Sequence, residues 1–311
     1  MTKNENKGEI TVDEESNGFR LDHFLNSRFS NLSRSKLQGL IKSGAVKINH
    51  KNVKPSASLS FGDVVYYDFE KEFSKDSTEP LSQKNISVEV IFEDEDILVV
   101  NKPAGLITHP GIGNTDETLV HAFFDKLLKN DSVRPGIVHR LDKETSGLLV
   151  MAKSQKAFDS LTAQFKKKTA KRIYWALHFG KLKEDEGTWT SYLARSPRNR
   201  VKFSSQEGGK KAITHFKKIL PGAVSVTELA LDTGRTHQIR VHMSEAQLPI
   251  LNDELYGSEK NLKSILDVEL RMKLKRIDRM ALVARRLSFE HPSSGEIVSF
   301  EVPWPDELNI V

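Results

Sequence analysis

The chain opens on a polar run, MTKNENKGE, and shows no apolar period over residues 1–17, so a flexible tail is expected through residue 18. From Phe19 the apolar positions take helical spacing. Leu21, Phe24, Leu25 and Phe29 predict one helix. Leu37, Leu40 and Ile41 predict a second, with Ser33 as its N-cap and Gly44 as its stop. AVKINH then alternates like a strand, HKNV turns back, and SFGDVVYY places a Gly62–Asp63 turn before a last strand. Residues 19–67 therefore read as two helices followed by short strands.

Residues 68–85, DFEKEFSKDSTEPLSQKN, are polar and rich in turn formers, the pattern of a linker. A larger region spans 86–311. Its strand-like runs are SVEVIF, DILVVNK, SGLLVMA, RIYWALHF, VSVTELALD, MALVARRLSF and EIVSFEV. The clearest helix runs from Ser154 to Phe165, with Phe158, Leu161 and Phe165 inward. Strands and helices do not alternate strictly, which predicts an α+β fold rather than a doubly wound parallel sheet. Residues 258–279 are helical in composition and basic, and no repeat of 20–50 residues is visible.

At 311 residues, 38% hydrophobic and 29% charged, the chain fits a globular protein of two domains, or of one large domain with an appendage. No run approaches the ~18–20 apolar residues of a membrane span, and the N-terminus lacks the apolar core of a signal peptide. Cysteine is absent, which excludes disulfides, thiolate metal sites, iron–sulfur clusters and a cysteine nucleophile. A cytoplasmic location is expected. The net charge of +5 is uneven. Residues 19–65 hold Arg20, Arg28, Arg34, Lys36, Lys42, Lys47, Lys51 and Lys54 against only Asp22 and Asp63. A basic module on a nearly neutral body reads as an anion-binding attachment, with a merely solvated surface as the competing reading.

Three strings concentrate the polar chemistry. Gly136-Ile-Val-His-Arg-Leu-Asp-Lys-Glu-Thr-Ser-Gly147 lies between two apolar runs and packs His139, Arg140, Asp142, Lys143 and Glu144 together. Such a loop could present a carboxylate, or be an ordinary exposed turn. Thr233-Gly-Arg-Thr-His-Gln-Ile-Arg-Val-His242 reads as a tight turn at Gly234 opening a helix, with Arg240 able to reach the sheet. His237 and His242 are spaced wrongly for a helical metal pair, so no metal is expected there; hydrogen bonding or packing suits them better. In Arg172-Ile-Tyr-Trp-Ala, Tyr174 and Ala176 share one strand face, and an aromatic there is as readily core. No dinucleotide fingerprint, phosphate-binding P-loop or nucleophile elbow is present.

Taken together and in order, HRLDKETSGLLVMAK, RIYWAL and LDTGRTHQIRVHMSEAQLPILNDELYG resemble the RluA-type family of RNA pseudouridine synthases. RMALVARRLSFEHP and SFEVPWP look like its closing elements, so residues 86–303 are covered. FRLDHFL, SRSKLQGLIKSGAVKIN and FGDVV are similar to the RNA-binding module first described in ribosomal protein S-four. The resemblance implies a mixed, mainly antiparallel catalytic sheet over 86–311. It also implies an isomerase that detaches uracil from ribose, rotates it and rejoins it through carbon, without metal or organic cofactor. By residue, it implies Asp142 as the essential carboxylate, Tyr174 as the tyrosine contacting the base and Arg240 as the cation pairing with the aspartate. An arginine close by favours the ionised form of a carboxylate. Arg140 matches the position that fills the gap left by the flipped uridine. His139, Arg235, Arg20, Arg34, Lys36, Lys42 and Lys47 are the further RNA-binding candidates.

The expected partner is RNA, with large-subunit ribosomal RNA first and transfer RNA as the alternative; no membrane is involved and a monomer is expected. The rivals are a catalytically silent RNA-binding or ribosome-assembly protein and a glycosidase that cleaves without rejoining. The chain departs from the family pattern at Asn252, where glycine is usual, at Val283, where histidine is usual, and at Arg172, where lysine is common.

Overall fold

The computed structural model describes residues 7–29, 32, 34–69, 82–110, 117–128, 134–257 and 259–310, the side chains of 34–36 and 259–260 excepted. The chain divides into two compact units, residues 1–80 and 81–311.

In the first unit, helices α1 (Leu21–Arg28) and α2 (Arg34–Lys42) accompany a four-stranded antiparallel sheet. Its strands are β1 (Lys7–Thr11), β2 (Val46–Ile48), β3 (Lys51–Asn52) and β4 (Val64–Asp68), in the order β1-β4-β2-β3. Leu21, Phe24 and Leu25 of α1 bury against Leu37, Leu40 and Ile41 of α2 and against Val46 and Val65 of the sheet. Gly44 ends α2 with φ +85. The flexible tail expected over 1–18 is corrected by β1. That strand is held by backbone pairing, Lys7 opposite Asp68 through Thr11 opposite Val64, so its few apolar side chains left little pattern to read. Ser33, the expected N-cap, lies outside the described residues.

The linker expected over 68–85 is also ordered at both ends. Asp68 ends β4 and Phe69 is buried in the module's core. The Lys84 N–H donates to the His121 carbonyl at 2.8 Å and Gln83 Nε2 to the Ala122 carbonyl at 2.8 Å. Residues 70–81 lie outside the described residues.

The second unit is built on one ten-stranded sheet. Its strands are β5 (Glu89–Glu93), β6 (Ile97–Lys102), β7 (Ser146–Ala152), β8 (Lys171–Phe179), β9 (Glu186–Arg195), β10 (Phe203–Ser205), β11 (Lys210–Leu220), β12 (Val224–Leu231), β13 (Leu282–Glu290) and β14 (Ile297–Glu301). They run in the order β10-β9-β11-β12-β8-β13-β7-β6-β5, with β14 beside β13. The sheet is mixed and mainly antiparallel, β13 and β7 forming the parallel pair. Where those two meet, Gly147 has φ +108 and any Cβ would collide with the Ala284 backbone.

Both faces of the sheet are covered, so its central strands read as unbroken apolar runs. Ile97, Val99, Leu148 and Val150 face a core closed by Ala157 and Leu161 of helix α4 (Gln155–Lys167). Leu98, Val100, Leu149 and Met151 face the opposite core. That core is closed by Leu119 and Val120 of α3 (Leu119–Phe123) and by Ile239 and Met243 of α5 (Gln238–Glu245). Ser154 caps α4 by accepting from the Ala157 N–H at 3.1 Å. The basic segment 258–279 forms two short helices, α6 (Glu259–Lys263) and α7 (Val268–Lys275).

Candidate active site

Asp142 stands on the loop that enters β7, and the chain is pinned on either side of it. The carbonyl of buried Leu141 accepts from Thr108 Oγ1 at 2.8 Å. The carbonyl of Lys143 accepts from the Gly105 N–H at 2.9 Å and from the Lys102 ammonium at 3.0 Å. Lys102 is wholly buried and donates also to the carbonyls of Pro103 and Leu106, 2.8 Å each. Upstream, His139 Nε2 accepts from the Val150 N–H at 3.1 Å, and its ring stacks on Phe165 with centroids 4.4 Å apart. Burial, helped by the nearby Arg172 charge, pushes His139 down to about 3, so the ring is neutral and its proton sits on Nδ1. His139 thus ties the loop to β7 and is uncharged, which limits it as a phosphate ligand.

The second string supplies the facing wall. Its left-handed residue is His237, with φ +58 at the N-cap of α5, and not Gly234. Gly234 matters for clearance instead, since a Cβ there would lie 2.7 Å from Arg172 Nη1. Gln238 locks the turn: its Oε1 accepts from Thr233 Oγ1 at 2.7 Å and the Arg235 N–H at 3.1 Å, and its Nε2 donates to the Ile213 carbonyl at 2.9 Å. His242 is hydrogen-bonded to Thr214 Oγ1 and Ser191 Oγ, both at 2.9 Å.

Arg240 on α5 reaches two aspartates. Nε and Nη2 donate to the two oxygens of Asp253 at 2.7 and 2.8 Å, while Nη1 lies 3.4 Å from Asp142 Oδ2. The expected pairing of Arg240 with Asp142 is therefore a long contact, and the bidentate partner is Asp253. Asp253 is completely buried and also accepts from the N–H groups of Leu255 and Tyr256 at 3.0 Å. Asp142 stays 19% exposed. His237 Nε2 stands 4.0 Å from Asp142 Oδ2, and its Nδ1 is 2.9 Å from the Tyr256 hydroxyl. That hydroxyl accepts from the Phe203 N–H at 2.7 Å, so its own proton is free to point at Nδ1. Burial lowers the pKa of His237, leaving a neutral ring with its N–H directed at Asp142.

Tyr174 projects from β8 and is 6% exposed. Burial pushes its phenol up, as does the Asp142 carboxylate, so the hydroxyl keeps its proton. Two hollows, of about 490 and 1020 Å³, meet at Arg140, Asp142, His237 and Arg240. The smaller one brings together Asp142, Tyr174, Arg240, Arg140, His139 and Arg235. Arg140 and Arg235 are exposed, and Arg235 Nε donates to the Lys211 carbonyl at 3.1 Å. The larger hollow is bordered by Leu262 of α6 and by Ile277 and Arg279 beyond α7.

Arg20, Lys42 and Lys47 belong to the first unit. Arg20 forks onto the buried Asp22 at 3.0 and 3.1 Å, so its charge is already matched; Lys42 and Lys47 are exposed. The side chains of Arg34 and Lys36 lie outside the described residues. Sequence reasoning did not single out Asp253, His237 or Tyr256 for the site. One signal was available: Asn252 departs from the usual glycine, and it adopts φ +57 while donating to the Ile277 carbonyl at 2.6 Å. A left-handed turn there is what swings Asp253 under Arg240.

Comparisons with known proteins identify the family. The profile described as RNA pseudouridylate synthase matches residues 96–245, and the S4 domain matches residues 19–65. A protein of Neisseria meningitidis named ribosomal large subunit pseudouridine synthase D is 41% identical, over 99% of this chain and 81% of its own length. One of the same name from Zymomonas mobilis is 39% identical, over 97% of this chain and 96% of its own. The solved structure of human RNA pseudouridylate synthase domain containing 1 superposes with a TM-score of 0.54 at 26% identity, covering 70% of this chain and 83% of the human one. This chain belongs to the RNA pseudouridine synthase family, as an isomerase of RNA with an S4 domain ahead of its catalytic unit.

Proposed function

We propose that this chain converts uridines of large-subunit ribosomal RNA to pseudouridine, with Asp142 as the reacting carboxylate. The substrate class rests on the relatives named for that RNA, which align along nearly the whole chain. The observation that carries the assignment of Asp142 is the contrast between two aspartates. Asp253 is sealed and spends its oxygens on Arg240, Leu255 and Tyr256. Among the described residues, Asp142 faces the cleft with the long Arg240 contact and the neutral His237 beside it.

The reaction breaks the bond from uracil N1 to the ribose, turns the base, and bonds C5 to the same sugar carbon. N1 gains a proton and C5 loses one, so atoms balance without an outside reactant. Cleavage develops positive charge on the sugar or demands a nucleophile there, and a carboxylate serves either need. Arg240, fixed by Asp253, is a preorganised cation beside it. Tyr174 offers a flat face to the base and a protonated hydroxyl for hydrogen bonding or proton transfer. The target base must leave its stack, and exposed Arg140 at the cleft's rim is placed to fill the space and meet phosphate. The S4 unit, residues 19–67, acts as a separate RNA anchor.

The test is pseudouridine mapping of total RNA from cells with and without the gene. Loss of one or more pseudouridines from large-subunit ribosomal RNA supports the reading. Loss only from transfer RNA would move the substrate. No loss anywhere, or release of free uracil by the purified protein, would sink it.

A further inference from the structure

The hollow on the Tyr174 side of Asp142 holds a cation that the reaction described above does not use. Arg172 precedes Tyr174 by two residues on β8, so both side chains project from the same face, about 7 Å apart along the strand. Its guanidinium carbon lies 5.5 Å from the centre of the Phe165 ring, and Phe165 in turn stacks on His139 of the Asp142 loop. The side chain is therefore positioned by the strand, by α4 and by the loop together.

Among the described residues, its Nε donor is unspent. Arg172 Nε is buried and has no partner, and no carboxylate pairs with the guanidinium among the described residues. Arg240, by comparison, commits Nε and Nη2 to Asp253 and turns Nη1 toward Asp142. Exposed Lys166, Lys168 and Arg235 line the same hollow; besides Asp142, its acidic side chain is Asp232, which lies 3.1 Å from His215. The glycine at 234 leaves room for Nη1, where a Cβ would come within 2.7 Å. A buried donor left without an acceptor is costly, and a ligand that supplies the acceptor is one reason proteins keep one.

The geometry points to Arg172 as the seat of a phosphate adjoining the uridine that enters the cleft. A planar guanidinium takes two phosphate oxygens at once, which an ammonium cannot do. One clamped phosphate beside Tyr174 fixes the register of the strand, so that a single base is presented to Asp142. This rests on the reading of the cleft as a uridine site.

The test compares the full-length protein with Arg172→Gln, Arg172→Lys and Gly234→Ala. Binding to a single-stranded oligouridine is measured against salt. Arg172→Gln should weaken it about tenfold and flatten the salt slope by about 0.7, the share of one phosphate on a single strand. Arg172→Lys should restore the slope but not the full affinity. Gly234→Ala keeps the charge but pushes the guanidinium aside, and should weaken binding without Arg172 being altered, so it decides the matter should Arg172→Gln fail to fold. On a ribosomal RNA fragment spanning a mapped target, uncharged methylphosphonates replace the phosphates one at a time. One position flanking the target should cost the wild type about tenfold in KM and cost Arg172→Gln nothing further. An unchanged salt slope in Arg172→Gln, or a methylphosphonate penalty equal in both proteins, overturns the assignment. Absence of pseudouridine with the wild type is a separate failure, of the proposed function, and the binding series still decides Arg172.

Discussion

Asp142 and Asp253 both reach Arg240, yet substitution should hurt them in different ways. Asp142→Asn keeps the side chain's shape and removes its charge, its nucleophilicity and its basicity. Because every route to the product needs one of these, the turnover should fall by more than the ~10²–10⁴-fold typical of losing one general acid or base. RNA affinity should barely change, since phosphate contacts dominate binding and a carboxylate makes none. Glu144→Gln, two residues on, is the control and should keep most activity; the reverse outcome would reassign the carboxylate. Asp253→Ala leaves Arg240 charged and buried without its bidentate partner, and should cost about 3–5 kcal/mol in a urea titration as well as activity. A fully stable Asp253→Ala protein would mean that Arg240 finds another anchor. Residues such as Asp142 and Tyr174 could be singled out in the sequence because each lies in a short, distinctive string. The Asp253–Arg240 bond could not, because the partners stand 13 positions apart across helix and turn and nothing local encodes which aspartate the guanidinium will choose.

At the scale of elements, strands buried on both faces were legible as unbroken apolar runs: β6 and β7 are examples. The sheet's other end was not. In β9, EGTWTSYLAR, and β11, KKAITHFKKIL, polar side chains outnumber the apolar ones, and β9 stays largely exposed, so the runs resemble loops until they pair. The short helix α3 is likewise too brief for a period to show. The turn holding Asp142 owes its position to Lys102 at the end of β6, whose ammonium gathers the Pro103, Leu106 and Lys143 carbonyls. Burial pushes Lys102 down to about 7, against the raising influence of Glu144 and Asp142. Its value in an unfolded chain is about 10.4. Between about pH 7 and 10 the unfolded chain therefore binds a proton that the folded chain lacks, and stability rises with pH across that window. Below pH 7 the cost of burying the charge is present in full. Urea midpoints of the wild type should climb from pH 7 to 9 relative to those of Lys102→Met, which has no such group. Parallel curves would mean that the three carbonyls keep the ammonium charged throughout.

For the whole molecule, the informative property is that each unit has a hydrophobic core of its own among the described residues. Among the described residues, the core around Phe24, Leu40 and Val65 draws on residues up to Phe69, and the cores around the large sheet begin at Ile86. Loss of one unit should thus leave the other folded, and charge changes in the first should act on RNA capture rather than on chemistry. The basic balance of residues 19–65 is partly spent internally, because Arg20 pairs with Asp22 and Arg28 with Asp13 at 3.0 Å. Exposed Lys42, Lys47, Lys51 and Lys54 carry what remains among the described side chains. Replacing Lys47, Lys51 and Lys54 together by Ala, in the full chain, removes charge without touching either core. If these lysines neutralise RNA phosphates, each lost contact releases fewer counterions, and the slope of log K against log salt should flatten by about 0.7–0.9 per contact. KM for ribosomal RNA should rise while turnover of bound RNA stays near that of the wild type, since the three lysines belong to the first unit and Asp142 to the second. Near-zero change in both slope and KM would leave the S4 unit as a solvated attachment, and would put the whole task of RNA capture on the basic walls of the catalytic cleft.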